Sequence, residues 1–187
     1  MDVKISPVSP CDADALLIFG WRNDPITCQN SINPNPKIWD QFYKEFYCTY
    51  FKNVSLFAEL NGRRVGLIYF TNLENVSVSE VGINLDQVFR GQGISRPILQ
   101  KAIAYFQVRE PHVRILQAKI KTLNLPSIRL FKSLGFVEIF EKIPLFENRA
   151  SVMENHREIR IFQLSLVKPE IATSPRSSEV TVSAPIE

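Results

Sequence analysis

The sequence predicts one domain of the α/β (α+β) class, with a mixed, mostly antiparallel central sheet of about seven strands flanked by helices. The chain of 187 residues is long enough for one domain with a proper core but short for two. Several segments alternate apolar and polar residues with a period of two, whereas others have helical periodicity. A strand, a helix and a strand also follow one another in mid-chain, which predicts a parallel crossover.

Composition and charge exclude several classes of protein. Hydrophobic residues make up 45% and charged residues 22% of the chain, as in ordinary soluble globular proteins. A net charge of +3 without a dense Lys/Arg stripe argues against nucleic-acid binding. Cys11, Cys28 and Cys48 lack metal-ligand spacing, so we expect free thiols and no metal. No apolar run suits a signal peptide or a membrane span, so we expect a cytoplasmic protein without membrane association.

The first third of the chain predicts a strand and two helices. The strand covers residues 3–7, and Asp12 can then cap a helix. Asp24-Pro25 should end that helix, because a residue before proline is pushed out of the α region. Aromatic residues at helical spacing over residues 39–50 predict a second amphipathic helix.

The next segment predicts an antiparallel meander. Residues 54–60 and 64–70 are joined by Asn61-Gly62, the strongest short hairpin signal. Residues 76–85 form a third alternating run, which would complete three strands in meander order. A helix then extends to Glu110-Pro111 and precedes a buried strand over residues 114–120.

The last part of the chain predicts a helix, two strands and a tail. The helix begins near Pro126 and ends at Gly135, a natural position for a left-handed C-terminal cap. Residues 136–143 and 157–167 read as strands. From Pro169 the chain is rich in Ser, Thr, Pro and Glu and cannot bury enough surface to offset its ordering entropy. We therefore expect a domain over residues 1–168 and a disordered tail over residues 169–187.

A glycine turn, Arg90-Gly91-Gln92-Gly93-Ile94-Ser95, lies between a predicted strand and a predicted helix. Such a turn presents backbone N–H groups at the positive end of the helix dipole, which suits a phosphate. Gly91 and Gly93 let a bulky anion approach the backbone, Arg90 adds a positive charge and Ser95 a hydroxyl. Neither of the two commonest phosphate signatures is present. A plain strand-to-helix turn is the alternative interpretation.

The surrounding sequence resembles a known family. Residues 81–95 resemble the acetyl-CoA-binding motif of the GNAT acetyltransferase superfamily, whose core is Gln or Arg, two residues, Gly, one residue, then Gly or Ala. Arg90 and Gly93 match, whereas Ser95 replaces the last Gly or Ala. Residues 124–136 resemble the superfamily's later motif, an Asn before a helix that ends in a Leu-Gly-Phe-like turn. The resemblance covers residues 3–167 and implies a GNAT-like fold and an acetyl-CoA-dependent N-acetyltransferase that transfers the acetyl group directly in a ternary complex.

The resemblance also implies how the cofactor is bound. The strand ending near Leu85 would splay from the strand beginning near Arg114, with the pantetheine arm between them. The N–H near Ile83 would polarise the thioester carbonyl, and Asn124 would contact the arm or the acetyl end. The implied cofactor-binding residues are Ile83, Asn84, Leu85, Arg90, Gly91, Gln92, Gly93, Ile94, Ser95, Asn124, Ser127 and Phe131.

The sequence offers several candidates for the general base and for the group that protonates the thiolate. The acceptor amine must be neutral, and Glu80 is our choice of general base, acting directly or through a water. A solvated strand carboxylate is the alternative for Glu80, while Asp24 and His156 are the other candidate bases. The family often has a Tyr that protonates the departing thiolate where this chain has Phe131. A thiol of pKa about 8.5 is a good leaving group near neutrality, so the loss of this acid need not abolish transfer. Ordered water, Ser127 or Tyr69 can serve in its place, and a non-catalytic CoA-binding module remains an alternative.

We expect the first half of the chain to bind the acceptor. Its order of residues resembles the GNAT enzymes of pseudaminic-acid and related pathways, which acetylate nucleotide-linked amino sugars. Arg22 can pair with a phosphate and Trp39 can stack on a base or sugar, although core packing is the alternative for both tryptophans. The expected acceptor-binding residues are Trp21, Arg22, Asn23, Asn30, Trp39 and Tyr69. The second candidate is a protein N-terminal (ribosomal-protein-type) or other small-amine acetyltransferase. A homodimer is one candidate assembly.

Overall fold

The computed structural model describes residues 2–50, 53–140 and 159–166, without the side chain of residue 49. Seven strands form its sheet: β1 Val3–Pro7, β2 Val54–Leu60, β3 Arg63–Asn72, β4 Val78–Leu85, β5 Ile115–Lys121, β6 Val137–Ile139 and β7 Ile159–Ser165. Their order is β1-β2-β3-β4-β5-β7-β6. Every neighbouring pair is antiparallel except β4 and β5. The predicted mixed sheet of seven strands is confirmed.

Five α-helices flank the sheet: α1 Asp12–Arg22, α2 Pro25–Asn30, α3 Trp39–Glu45, α4 Ser95–Arg109 and α5 Leu125–Ser133. A π-helical turn, Phe46–Tyr50, follows α3, and a short 3₁₀ turn, Gln87–Phe89, precedes the glycine turn. The predicted hairpin is present, with Asn61 and Gly62 at φ values of 52° and 76°. Both values lie in the left-handed region that a two-residue type I′ turn requires.

Two hydrophobic cores form on opposite faces of the sheet, because successive side chains of each strand alternate between the faces. On one face α4 packs against the sheet, and the rings of Phe70 and Phe106 stack with centroids 4.1 Å apart. On the other face the buried side chains of Ile18, Phe42 and Phe57 join α1 and α3 to the sheet. On this second face, Tyr69 and Glu80 line part of the cleft described below.

Helix α1 ends at Arg22, before Asp24-Pro25, as the sequence predicts, but the helix that follows is not among the predicted elements. Pro25 begins a new short helix, which Asp24 caps by accepting a hydrogen bond from Thr27 N at 2.9 Å. Proline is well suited to this first position because its missing N–H would have no intrahelical partner there. The aromatic segment also differs, because α3 ends at Glu45 and the chain continues as the π-helical turn.

The parallel pairing of β4 with β5 is short. Val78 pairs with Ile115, Ser79 with Leu116 and Glu80 with Gln117, and the pairing stops there although both strands continue within the described residues. We call the space between residues 81–85 of β4 and residues 118–121 of β5 the strand gap. The strand-helix-strand crossover and the splay implied by the resemblance are therefore both present.

Some predictions lie partly or wholly outside the described residues. Strand β6 is shorter than predicted up to residue 140, and residues 141–143 of the predicted strand lie outside the described part. His156, the ends of the predicted last strand, the domain boundary at residue 168 and the tail also lie outside it. Among the described helices, none has both the length and the apolar character needed to cross a membrane.

Candidate active site

The strand gap opens into a cleft of about 740 Å³, which is lined by side chains from both faces of the sheet. Its walls come from the parted ends of β4 and β5, from α2, from the glycine turn and from the beginning of α5. The cleft thus joins the two sequence blocks that resemble the GNAT motifs. It also reaches residues of the first half of the chain, including Arg22, Asn30 and Tyr50.

Strand β4 directs backbone groups into the gap. Leu73 N donates to Val78 O at 3.2 Å and Asp86 N donates to Val65 O at 3.0 Å, so the even-numbered residues of β4 bond to β3. Hydrogen bonding alternates along an antiparallel strand, so the backbone groups of Ile83 and Leu85 face away from β3, towards the gap. Beyond the last paired residue, this edge of β4 has no β5 partner.

The glycine turn places further N–H groups at the start of α4. Gly91 and Gly93 have φ values of 75° and 76°, in the left-handed region that favours glycine. Ile94 is 2% exposed and anchors the turn in the core, while Gln92 Nε2 donates to Val88 O at 2.7 Å. In the described structure no side chain caps α4, so its first N–H groups lack a side-chain acceptor. This arrangement suits an oxyanion.

Arg90 is held within the protein. Its Nη1 lies 2.7 Å from Asp24 Oδ1, its Nη2 donates to Thr27 Oγ1 at 3.0 Å, and its Nε donates to Leu85 O at 3.0 Å. The side chain of Arg90 is 25% exposed and that of Asp24 is 12% exposed. Arg90 therefore connects the glycine turn to α2 and to the end of β4.

Asp24 is a poor general base. Burial opposes its ionisation, but the hydrogen bond from Thr27 N and the Arg90 guanidinium outweigh burial and hold the pKa of Asp24 below its usual value. Asp24 is consequently a carboxylate that has little tendency to accept a proton near neutral pH.

Glu80 lies where β4 and β5 part, and its side chain lines the cleft. Lys119 Nζ lies 3.0 Å from Glu80 Oε2, across the opening of the gap. The Glu80 side chain is 23% exposed, so it is within reach of water. A carboxylate fixed at this position has the access that a general base needs.

Tyr69 crosses β4 next to Glu80. It pairs with Gly82, and a Cβ at position 82 would overlap the Tyr69 ring and hydroxyl. Burial, together with the charge of Glu80, raises the pKa of Tyr69. Burial likewise raises the pKa of Tyr50, also in the cleft, to about 12. Both hydroxyls therefore keep their protons at neutral pH and can act as donors.

At the other side of the gap, Asn124 caps α5. Its Oδ1 accepts from Ser127 N at 3.2 Å, an interaction that leaves the Asn124 amide nitrogen uninvolved. Phe131 is 2% exposed, packs edge-on against Phe136 with centroids 5.0 Å apart, and forms part of the cleft wall. An apolar side chain therefore occupies the position where the family often has tyrosine.

The acceptor residues expected from the sequence divide into two groups. Arg22, Asn30 and Tyr69 line the cleft. Trp21 is 7% exposed and packs against Phe57, and Trp39 packs edge-on against Phe19 with centroids 5.2 Å apart. Asn23 Nδ2 donates to Lys37 O at 2.9 Å and closes the loop before α3. The structure does not bring Trp21, Trp39 and Asn23 to the cleft. The two tryptophans are packed against other aromatic rings, and Asn23 is hydrogen-bonded within the loop.

Several cleft residues were not singled out from the sequence. Lys119 and Arg129 bring positive charge, while Ile26 and Ile32 are about half exposed at 53% and 47% and bring apolar surface. To predict that Lys119 lies beside Glu80, the register between β4 and β5 must be known. Such a register is set by tertiary packing and has no local sequence signal. Among the described residues, no group of three metal-ligating side chains comes together.

Comparisons with known proteins agree with this architecture. Residues 2–137, more than half of the chain, match the Acetyltransferase (GNAT) domain family. The chain therefore belongs to the GNAT acetyltransferase family.

One curated relative is an uncharacterized N-acetyltransferase of Methanocaldococcus jannaschii, 31% identical over 108 residues, which are 54% of this chain and 47% of that protein. The match thus spans about half the length of this relative. Ribosomal-protein-alanine N-acetyltransferase from Brucella melitensis is 22% identical, with a TM-score of 0.66 over 87% of this chain and 99% of that one. Spermidine N-acetyltransferase from Vibrio cholerae, solved with CoA and spermine, is 13% identical, with a TM-score of 0.71 over 89% and 96%. At these sequence identities, the two similarities are evidence for a shared fold alone.

The contact between Tyr69 and Gly82 predicts strong coupling between the two positions. Gly82→Ala should lower the free energy of unfolding by about 1–3 kcal/mol, because the added methyl group displaces the Tyr69 ring. In a Tyr69→Ala background the same change should have less than half that effect. Urea denaturation of the four proteins measures this coupling.

Gly20→Ala is the matched control, since no described atom beyond its chain neighbours and its own helix backbone lies within 4 Å of the added Cβ. This change in mid-helix should leave stability unchanged or raise it by up to about 1 kcal/mol. Equal losses from Gly82→Ala in both backgrounds would contradict the contact.

Proposed function

We propose that this protein is an N-acetyltransferase that moves the acetyl group of acetyl-CoA directly to a primary amine of an anionic acceptor, specifically a nucleotide-linked amino sugar. The observation that carries the proposal is the strand gap itself. A free edge of β4 directs N–H groups into the gap, and an uncapped glycine turn stands at the end of that edge. These are the two features that an extended arm ending in a diphosphate requires.

The chain's own groups would hold the donor as follows. The backbone of Ile83 would pair with the pantetheine arm and polarise the thioester carbonyl, as an oxyanion donor does. The N–H groups of residues 91–95 would bind the diphosphate. Asn124 and Ser127 would contact the arm from the β5 side. Bound acetyl-CoA supplies an acetyl group activated as a thioester, and the CoA found in the Vibrio cholerae neighbour supports this choice of donor.

Glu80 would act as the general base, directly or through a water. An amine is nucleophilic only without its extra proton, and Glu80 stands at the opening of the gap, where the carbonyl would lie. Lys119, at 3.0 Å, fixes the orientation of the carboxylate.

Tyr69 would stabilise the departing thiolate in place of the missing family tyrosine. Its ring already lies against Gly82, next to Ile83. An ordinary tyrosine has a pKa of about 10 and a thiol about 8.5, so full proton transfer is uphill by roughly 2 kcal/mol. The raised pKa of Tyr69 widens this difference. A hydrogen bond from Tyr69 to the sulfur, followed by protonation from water, is therefore favoured over full transfer.

The charges of the cleft favour an anionic acceptor. Among the described lining residues, Glu80 is acidic, whereas Arg22, Lys119 and Arg129 are basic in addition to the paired Arg90. Three cations beside one anion attract phosphate or carboxylate groups and repel a polycation. Such a cleft suits a nucleotide amino sugar better than a polyamine.

A peptide N-terminus is the second candidate acceptor. Ile26 and Ile32 place exposed apolar surface at the cleft, where a peptide side chain can pack. The fold shared with the ribosomal-protein-alanine N-acetyltransferase of Brucella melitensis is compatible with this acceptor.

Thiol release from acetyl-CoA, measured across an acceptor panel, tests the proposed function. The panel comprises a nucleotide amino sugar, the same amino sugar without its nucleotide, spermidine and a short peptide. We expect kcat/KM for the nucleotide sugar to exceed that for the free sugar by at least about tenfold, which corresponds to roughly 1.4 kcal/mol of phosphate binding. A higher value for spermidine would overturn the anionic acceptor. Tight CoA binding without turnover of any acceptor would leave a non-catalytic module.

Replacement of the proposed base is a separate prediction. Glu80→Gln should lower kcat by about 10²–10⁴-fold, the usual contribution of a general base, and leave the Kd for CoA unchanged. Glu59→Gln, on β2, is the control, because Glu59 bonds to Ser6 and lies outside the cleft lining. Full activity of Glu80→Gln at every pH would remove Glu80 from the mechanism.

A further inference from the structure

Helix α2 bridges the two strands that part. On the β4 side, the Thr27 hydroxyl donates to Asn84 Oδ1 at 3.0 Å. On the β5 side, Lys121 Nζ donates to Gln29 O at 2.9 Å. Ile26, Thr27 and Asn30 of the same helix line the cleft. Helix α2 thus forms the wall of the cleft that an acceptor would meet, and it spans the strand gap from one strand to the other.

Arg90 joins this wall to the glycine turn. Its guanidinium contacts the N-cap of α2 at Asp24 and the first turn of α2 at Thr27, while its Nε holds Leu85 O. Asn84 extends the same chain of contacts to α1, since its Nδ2 donates to Trp21 O at 3.1 Å. The side chain of Arg90, which belongs to the glycine turn, therefore fixes the position of α2, the helix that an acceptor would meet.

We propose that Arg90 is a positioning residue, which holds α2 against the glycine turn through Asp24 and so couples binding of donor and acceptor. This inference rests on the proposed function for the identity of the two ligands. The diphosphate of the donor is then bound by the backbone N–H groups of the turn, while the charge of Arg90 is neutralised by Asp24. Occupancy of the turn favours the position of α2 that forms the acceptor wall, and the coupling is reciprocal.

Direct binding of the diphosphate by Arg90 would change the affinity for CoA in the opposite direction when Asp24 is replaced. If Arg90 bound the diphosphate itself, loss of the negative charge of Asp24 would free the guanidinium and strengthen CoA binding. If Arg90 positions the turn, the same loss releases α2 and weakens CoA binding. Asparagine at position 24 separates these outcomes, because it caps a helix as well as aspartate does and removes only the charge.

Calorimetric titration with CoA, which requires no turnover, tests the proposal on wild type, Asp24→Asn, Arg90→Gln and the double variant. We expect each single variant to raise the Kd about three- to tenfold, as for a partly exposed ion pair. The double variant should bind no more weakly than Arg90→Gln, because both changes remove one interaction. Thr27→Val, which alters no charge, should raise the Kd in the same direction.

Asp86→Asn is the matched control. Asp86 also caps a helical turn, through a hydrogen bond from Val88 N at 3.1 Å, and also pairs with an arginine, Arg63 at 3.6 Å. In the described structure the Asp86 side chain forms no hydrogen bond or ion pair with α2, so its replacement should leave the Kd for CoA unchanged.

Steady-state kinetics separate positioning from a loss of folded protein. Asp24→Asn should raise the acceptor KM about three- to tenfold with kcat within about twofold of wild type, whereas partial unfolding would lower kcat and leave KM unchanged. Unchanged or tighter CoA binding by Asp24→Asn, or effects that add fully in the double variant, would overturn the inference. Failure of the wild type to bind CoA would instead overturn the proposed function.

Discussion

The end of parallel pairing between β4 and β5 is the constraint on which the rest of the site depends. After Glu80 and Gln117 the two strands separate, although each continues for several residues. A separated strand leaves backbone groups without partners, and such groups are costly unless solvent or a ligand satisfies them. Solvent and a ligand can both reach these backbone groups through the cleft. The parting therefore creates the free edge that an extended ligand can pair with.

Three elements meet at this parting because the sheet brings them there. The glycine turn follows β4 after a short 3₁₀ turn, and α5 is the next element after β5. Helix α2 is bonded to both strands, to β4 through Thr27 and to β5 through Lys121. The proposed donor site and the proposed acceptor site consequently share walls. In this arrangement a side chain such as Arg90 can influence both ligands without touching the reacting atoms.

The sequence predicts those parts of the fold and site that depend on local chemistry. Asn61-Gly62, Gly135 and the glycine turn are each identified because few residues tolerate a left-handed backbone. Period-two alternation likewise identifies the meander of β2, β3 and β4.

The parts that depend on distant contacts could not be predicted in this way. Asp24 and Arg90 are far apart in the chain, so their ion pair has no local signature, and Pro25 fits a helix start as well as a helix end. Trp21 in α1 and Trp39 in α3 each occupy a position that suits the apolar face of its helix, but periodicity does not say whether that face meets a core or a cleft. The structure places both tryptophans in packing contacts.

Amide hydrogen exchange in the presence of CoA and of pantetheine tests the central claim most directly, namely that the strand gap and the glycine turn together receive the donor. CoA should slow exchange in residues 81–85 and in residues 91–96, because its arm and its diphosphate occupy the two segments. Pantetheine lacks the diphosphate and should slow exchange in residues 81–85 alone. Bound CoA that leaves residues 91–96 unprotected, or that protects only segments outside the cleft, would contradict the account.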